Sequence, residues 1–158
     1  MELHHPPVRL KVVTVIFGQA LRYVNLDDYE KKYFSTYEAF AETVRFILEK
    51  ALLAAENLPR PQSVQCRAKG IESLRRRLAE AGKLGTQTLE LDRRDLTGVR
   101  LIFYTNNDVD RFLASRLIRE NFEIEEDSTK IHHPTPENQG IQYRAIHYTV
   151  RLCKDCVF

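Results

Sequence analysis

Apolar positions along the chain fall into blocks with two different periods. The longest block is helical. Phe40, Val44, Ile47, Leu48, Ala51, Leu52 and Ala55 recur at helical spacing and predict one continuous apolar face. Ser35-Thr36-Tyr37-Glu38 has the form of a capping box, in which a hydroxyl takes an orphan amide and the glutamate reaches back, so the helix is expected to begin there. Pro59 and Pro61 stop it. Residues 63–67 read as extended. From about Gly70, Ile71, Leu74, Leu78 and Ala81 mark the inner face of a second helix, which Gly82 and Gly85 end. Ser73 and Arg77 stand one helical turn apart and share a different face.

The second period is that of strands. Val99, Leu101 and Phe103 alternate with Arg100, Ile102 and Tyr104, and both sets are largely apolar, the pattern of an interior strand covered on both faces. A helix follows, capped near Asn107 or Asp108, with Val109, Phe112, Leu113 and Leu117 inward. Residues 122–131 read as a short strand, "HHPTPENQG" as a loop, and residues 143–152 as a last strand. On that strand Ile146, Tyr148, Val150 and Leu152 form a core face, while Tyr143, Ala145, His147 and Thr149 face a cleft or water. Helices alternating with strands give an α/β (α+β) domain, a mixed β-sheet flanked by helices. The domain is expected over residues 26–158. Residues 1–25, with the apolar run "VVTVIFG", read as a leader or a short strand, too brief to span a bilayer and without a clean signal-peptide cleavage site.

Composition sharpens this only locally. The chain has 158 residues and a net charge of +2, so a basic surface must come from clustering, not from the whole-molecule field. Three cysteines make no disulfide framework and favour a reducing, cytoplasmic setting. Cys153 and Cys156 have the spacing of half a zinc site, but completing it with Cys66, His132 and His133 requires a fold to be assumed first.

Three clusters carry candidate chemistry, each with a plain alternative. Arg67, Lys69, Arg75, Arg76 and Arg77 are either a solvated helix face or a phosphate-binding set. Arg67 and Lys69 precede the helical periodicity, which suits a strand end or turn aimed at a ligand. Asp95 is either a turn residue or a carboxylate for Mg²⁺ bound together with substrate phosphates. Tyr143 and His147 are either an ordinary strand face or a base-stacking and phosphate-contacting pair.

Taken in order, three stretches resemble one family. "CRAKGIESLRRRLAE" resembles the R-x-K-x-x-x-S-[IL]-x-x-[KR]-[LM] stretch of RelA/SpoT-type alarmone synthetases, "LDRRDLTGVRLIFY" their D-[LI]-x-[GA]-[VI]-R strand, and "GIQYRAIHYTVRL" their G-Y-x-S-x-H strand. The resemblance covers roughly residues 29–152. It implies a nucleotidyltransferase-like sheet and the transfer of pyrophosphate from ATP to the 3′-hydroxyl of GDP or GTP, with Mg²⁺ as cofactor. It implies that Arg67, Lys69 and Arg77 hold ATP phosphates or stack on adenine and that Ser73 supports their helix. Asp95 would bind the metal, Tyr143 stack on guanine, His147 contact the acceptor phosphates and Arg100 orient its neighbours. Toxin-like relatives act on the 3′ end of tRNA, so tRNA is an alternative partner, and a non-catalytic nucleotide-binding module is a further alternative. No membrane partner is implied, and a homo-oligomer stays open. The chain departs from the family pattern at Arg77, where lysine is common, and at Ala145, where serine is usual. It lacks the HD dipeptide of the hydrolase domain, so ppGpp hydrolysis is not expected. No match to the family's glutamate-bearing E-[VI]-Q-[VI]-R-T strand occurs between Leu152 and Phe158. By the resemblance that catalytic glutamate would lie beyond Phe158. The chain is therefore expected to be incomplete at its C-terminus, with no residue inheriting the glutamate's role and weak or no transfer activity.

Overall fold

The computed structural model describes residues 11–17, 23–93, 95–132 and 144–152. Its strands are β1 (Lys11–Phe17), β2 (Ser63–Ala68), β3 (Thr97–Phe103), β4 (Phe122–Ile124), β5 (Lys130–His132) and β6 (Arg144–Leu152). They form one mixed sheet in the order β2-β3-β1-β6-β4, with β5 also paired to β6. β1 runs parallel to β6 and antiparallel to β3. The N-terminal apolar run, read from sequence as a leader or short strand ahead of the domain, is thus hydrogen-bonded on both sides within the sheet.

β4 and β5 lie end to end along the same edge of β6. β4 pairs with residues 150–152 and β5 with residues 145–147. They are two halves of an interrupted strand, broken by the 3-10 turn Glu126–Ser128. The Glu125 amide still donates to the Thr149 carbonyl at 2.8 Å. Two ion pairs flank the break: Arg151 of β6 donates to Glu125 at 2.9 Å, and Arg119 donates to Glu126.

The helices are α1 (Leu26–Asp28), α2 (Phe34–Ala54), α3 (Ile71–Glu80), α4 (Leu89–Asp92), α5 (Asn106–Ala114) and α6 (Leu117–Asn121). A π-helical turn, Tyr29–Tyr33, joins α1 to α2. The capping box at Ser35 is therefore interior to a longer helical run, and the real cap is Asn25, whose side chain accepts the Asp28 amide at 2.8 Å. The physical reason lies in two buried tyrosines. Tyr29 and Tyr37 pack with ring centroids 5.2 Å apart. Eight residues of regular α-helix would leave them about 80° apart around the axis, and the wider π turn closes that angle. α2 ends at Ala54, before either proline.

α5 is capped at Thr105, not at Asn107 or Asp108. The Thr105 hydroxyl accepts the Asp108 amide at 3.1 Å and donates to the Asp108 carboxylate at 2.8 Å. The single helix expected here is two, because Arg116 adopts a left-handed conformation (φ 61°) between α5 and α6.

The main core lies between the helices and one face of the sheet. It joins Val44 and Leu48 of α2, Val99 and Leu101 of β3, and Phe112 of α5, with Ile146 and Val150 of β6. A second cluster around Tyr29, Tyr37, Leu74, Leu78, Leu89 and Leu96 binds the start of the helical run to α3 and α4. Each such side chain, fully buried, contributes about 1.5–3 kcal/mol. β3 is interior, paired to β2 and β1, but among the described residues its second face is only partly covered. Ile102 is buried with Ala145, whereas Arg100 is exposed, and Tyr104 lies beyond the strand and is exposed too. That open face is where the site forms. Tyr143, His133, Cys153 and Cys156 lie outside the described residues. So does Phe158. Among the described residues, no helix is long and apolar enough to cross a membrane.

Candidate functional site

Strand register builds the site. Gln65 of β2 pairs with Arg100 of β3, Arg100 with Thr14 of β1, and Thr14 with His147 of β6. These positions form one row across the sheet. Because side chains alternate, Arg100 points away from Val99 and Leu101, and His147 points away from Ile146. In the neighbouring row Arg67 pairs with Gly98, which has no side chain to fill the space beside it. The result is a cleft of about 230 Å³ whose lining includes Gln65, Arg67, Lys69, Asp95, Arg100 and His147.

Lys69 follows directly after β2, and its amide donates to the Leu96 carbonyl at 2.7 Å. That bond brings the end of β2 beside the entry to β3, where Asp95 sits. The Lys69 ammonium is hydrogen-bonded to the Asp95 carboxylate. The lysine side chain is 15% exposed and the aspartate 42%, so the carboxylate is the more open partner. Behind the pair, the fully buried Tyr29 donates its hydroxyl to the Lys69 carbonyl at 2.8 Å. Burial holds that phenol well above its ordinary range.

Cys66 belongs to the helix side of β2. Its thiol donates to Glu42 of α2 at 3.1 Å. Burial first, and then the glutamate, push the thiol up. The same hydrogen bond, with Arg45, holds Glu42 below the usual carboxylate range.

The structure therefore brings Arg67, Lys69, Asp95, Arg100 and His147 to one cleft. Ser73 and Arg77 lie on α3, outside its lining; Ser73 is half-buried, and Arg77 is exposed, its carbonyl accepting from Arg93 at 2.9 Å. Arg75 is tied to Glu30 at 3.0 Å and to Glu72 at 2.6 Å. Sequence reading did not pick out Gln65 or Tyr29. Strand alternation from Arg67 could have found Gln65. Nothing local pointed to Tyr29, which stands 40 residues from the lysine that it holds.

Among the described residues, Asp95 is the one carboxylate in the lining. Nor do three His, Cys, Asp or Glu side chains gather anywhere among them to hold a metal by themselves. A single partly open carboxylate among cations fits Mg²⁺ carried on phosphates, since that ion takes one or two carboxylates and leaves its other positions to phosphate and water. Chemically the cleft offers cations for phosphate oxygens and one anionic ligand. No family model matches the chain, and no curated protein or solved structure matches it.

Proposed function

We propose that the cleft is a pyrophosphate-transfer site of the RelA/SpoT type, which moves the β,γ-pyrophosphate of ATP to the ribose 3′-hydroxyl of GDP or GTP. The observation that carries this reading is the convergence of Arg67, Lys69, Asp95, Arg100 and His147 on one cleft, although they come from three separate sequence motifs. Arg67 and Lys69 bind the ATP phosphates, the guanidinium in a planar fork and the ammonium as a point charge. Asp95, released by Lys69 as phosphates arrive, is the residue that would hold Mg²⁺. When bound, that ion would supply neutralisation of phosphate charge. Arg100 and His147, on β3 and β6, face the acceptor's phosphates. Ser73 and Arg77 on α3 serve the adenine side, and Tyr143 stacks on guanine; these three assignments rest on the resemblance alone. A bond forms between O3′ and the β-phosphorus as the O3′ proton passes to water, the bond from that phosphorus to the α,β-bridging oxygen breaks, and AMP leaves with that oxygen. Positioning and charge neutralisation are what such a site has to provide. Under this reading the mixed sheet is a nucleotidyltransferase-like one and the protein works in the cytoplasm. The arginine run of α3 suits tRNA less, because two acids already engage Arg75.

The test uses γ-labelled ATP, GDP and Mg²⁺ with the full chain, alongside binding of α,β-methylene-ATP measured by calorimetry. Label appearing in a guanosine tetraphosphate, or magnesium-dependent binding abolished by Arg67→Ala, supports the proposal. Neither product nor binding would sink it. Nucleotide binding that survives Asp95→Ala, with no turnover, would mark a non-catalytic nucleotide module instead.

A further inference from the structure

Tyr29 carries a hydroxyl that its core does not need. The ring is fully buried, edge-on to Phe34 at 5.9 Å and against Tyr37 at 5.2 Å. Phenylalanine would fill the same space without desolvating a polar group. The hydroxyl donates to the Lys69 carbonyl at 2.8 Å. The Lys69 amide is fixed from the other side by Leu96 at 2.7 Å. The backbone of the cleft's lysine is thus clamped between a post on the helical run and the strand entry that bears Asp95.

The clamp has a purpose if Lys69 changes partners. In the structure its ammonium rests on Asp95. When a metal-bound triphosphate enters, that ammonium must turn to phosphate oxygens while Asp95 turns to the metal. The lysine stem is flexible and has many rotamers, so the accuracy of the exchange depends on a backbone that stays still. We propose that Tyr29 is a positioning residue, holding the Lys69 backbone while its ammonium exchanges Asp95 for the phosphates of a magnesium–nucleoside triphosphate. This inference rests on the nucleotide reading above.

The test compares Tyr29→Phe with Tyr37→Phe in the full chain. Tyr37 packs in the same cluster, but its hydroxyl donates to Glu90, not to the cleft. Two readouts are taken: hydrogen exchange of the Lys69 amide without ligand, and separate affinities for magnesium–α,β-methylene-ATP and for GDP. In Tyr29→Phe alone, Lys69 exchange accelerates about tenfold and triphosphate affinity falls about tenfold, with GDP affinity unchanged. A purely structural loss would weaken both nucleotides together, and that result overturns the proposal. So does Lys69 exchange at the wild-type rate in Tyr29→Phe. If the wild type binds no triphosphate, the proposed function fails, yet Lys69 exchange still decides whether Tyr29 holds that backbone. Should Tyr29→Phe not fold, the wild type decides. A Tyr29 hydroxyl proton that exchanges slowly both without and with magnesium–α,β-methylene-ATP supports the role, and one that exchanges as fast as a solvent-exposed phenol overturns it.

Discussion

At the scale of single residues, the pair Lys69–Asp95 separates a structural role from a binding one. Both side chains line the cleft, and the aspartate is substantially open to water. An ion pair so placed contributes about 1 kcal/mol or less to stability. Lys69→Met keeps the apolar stem and removes the charge. It is expected to lower the melting temperature little while cutting affinity for magnesium–ATP at least about tenfold. A large thermal loss with intact nucleotide binding would make the pair a strut of the fold and no part of a site. Cys66 gives a second residue-scale test. Its thiol is held protonated by burial and by Glu42, and the thiolate is the reactive form. Peptide-mapped alkylation of Cys66 at neutral pH is expected to be slower than that of a free thiol, and faster in Glu42→Gln. Equal rates in both forms of the chain would show that Glu42 does not restrain the thiol.

At the scale of elements, the caps show what local pattern carries and what it does not. The apolar stripe of α2 was legible, because Val44, Ile47, Leu48 and Leu52 are all buried where the period places them. Its start was not. The "STYE" tetrapeptide has the chemistry of a cap, but two distant tyrosines packing through a π turn carry the helix back to Leu26, and no short window contains that interaction. The candidate site divides the same way. Strand period places His147 off the core face, and the order of Arg67 and Lys69 ahead of α3 aims them at a strand end. The register that sets Arg100 and His147 on either side of Thr14 is a property of pairing, which the residues of one strand do not state. The cap of α5 turns this into a measurement. Thr105 makes two hydrogen bonds to Asp108 that an alanine cannot make. Thr105→Ala is expected to cost about 1 kcal/mol in chemical denaturation, whereas Asn107→Ala, at one of the two positions read from sequence, should be nearly silent. The reverse order would place the cap elsewhere.

At the scale of the whole molecule, two phenols in different parts of the fold couple stability to alkaline pH. Tyr29 sits in the second cluster, and Tyr148 packs from β6 against the main core. Burial is the chief cause that raises both, with the charge of Arg119 opposing it at Tyr148. A phenol in the unfolded chain ionises near about pH 10. The folded chain therefore keeps protons that the unfolded chain gives up. The associated stability is present in full below that pH and is lost as pH rises through it toward the folded chain's higher value. The melting temperature should be flat toward about pH 9 and fall steeply by about pH 11. Tyr29→Phe makes the prediction specific. At neutral pH the variant lacks the bond to the Lys69 carbonyl and melts slightly below the wild type. In alkali it has no phenol to ionise at that position, so its curve falls less steeply and crosses the wild-type curve. Tyr148→Phe should flatten the alkaline limb as well, without touching the Lys69 backbone. Parallel curves for Tyr29→Phe and wild type, offset by the same amount at every pH, would mean that the Tyr29 proton is not retained by folding.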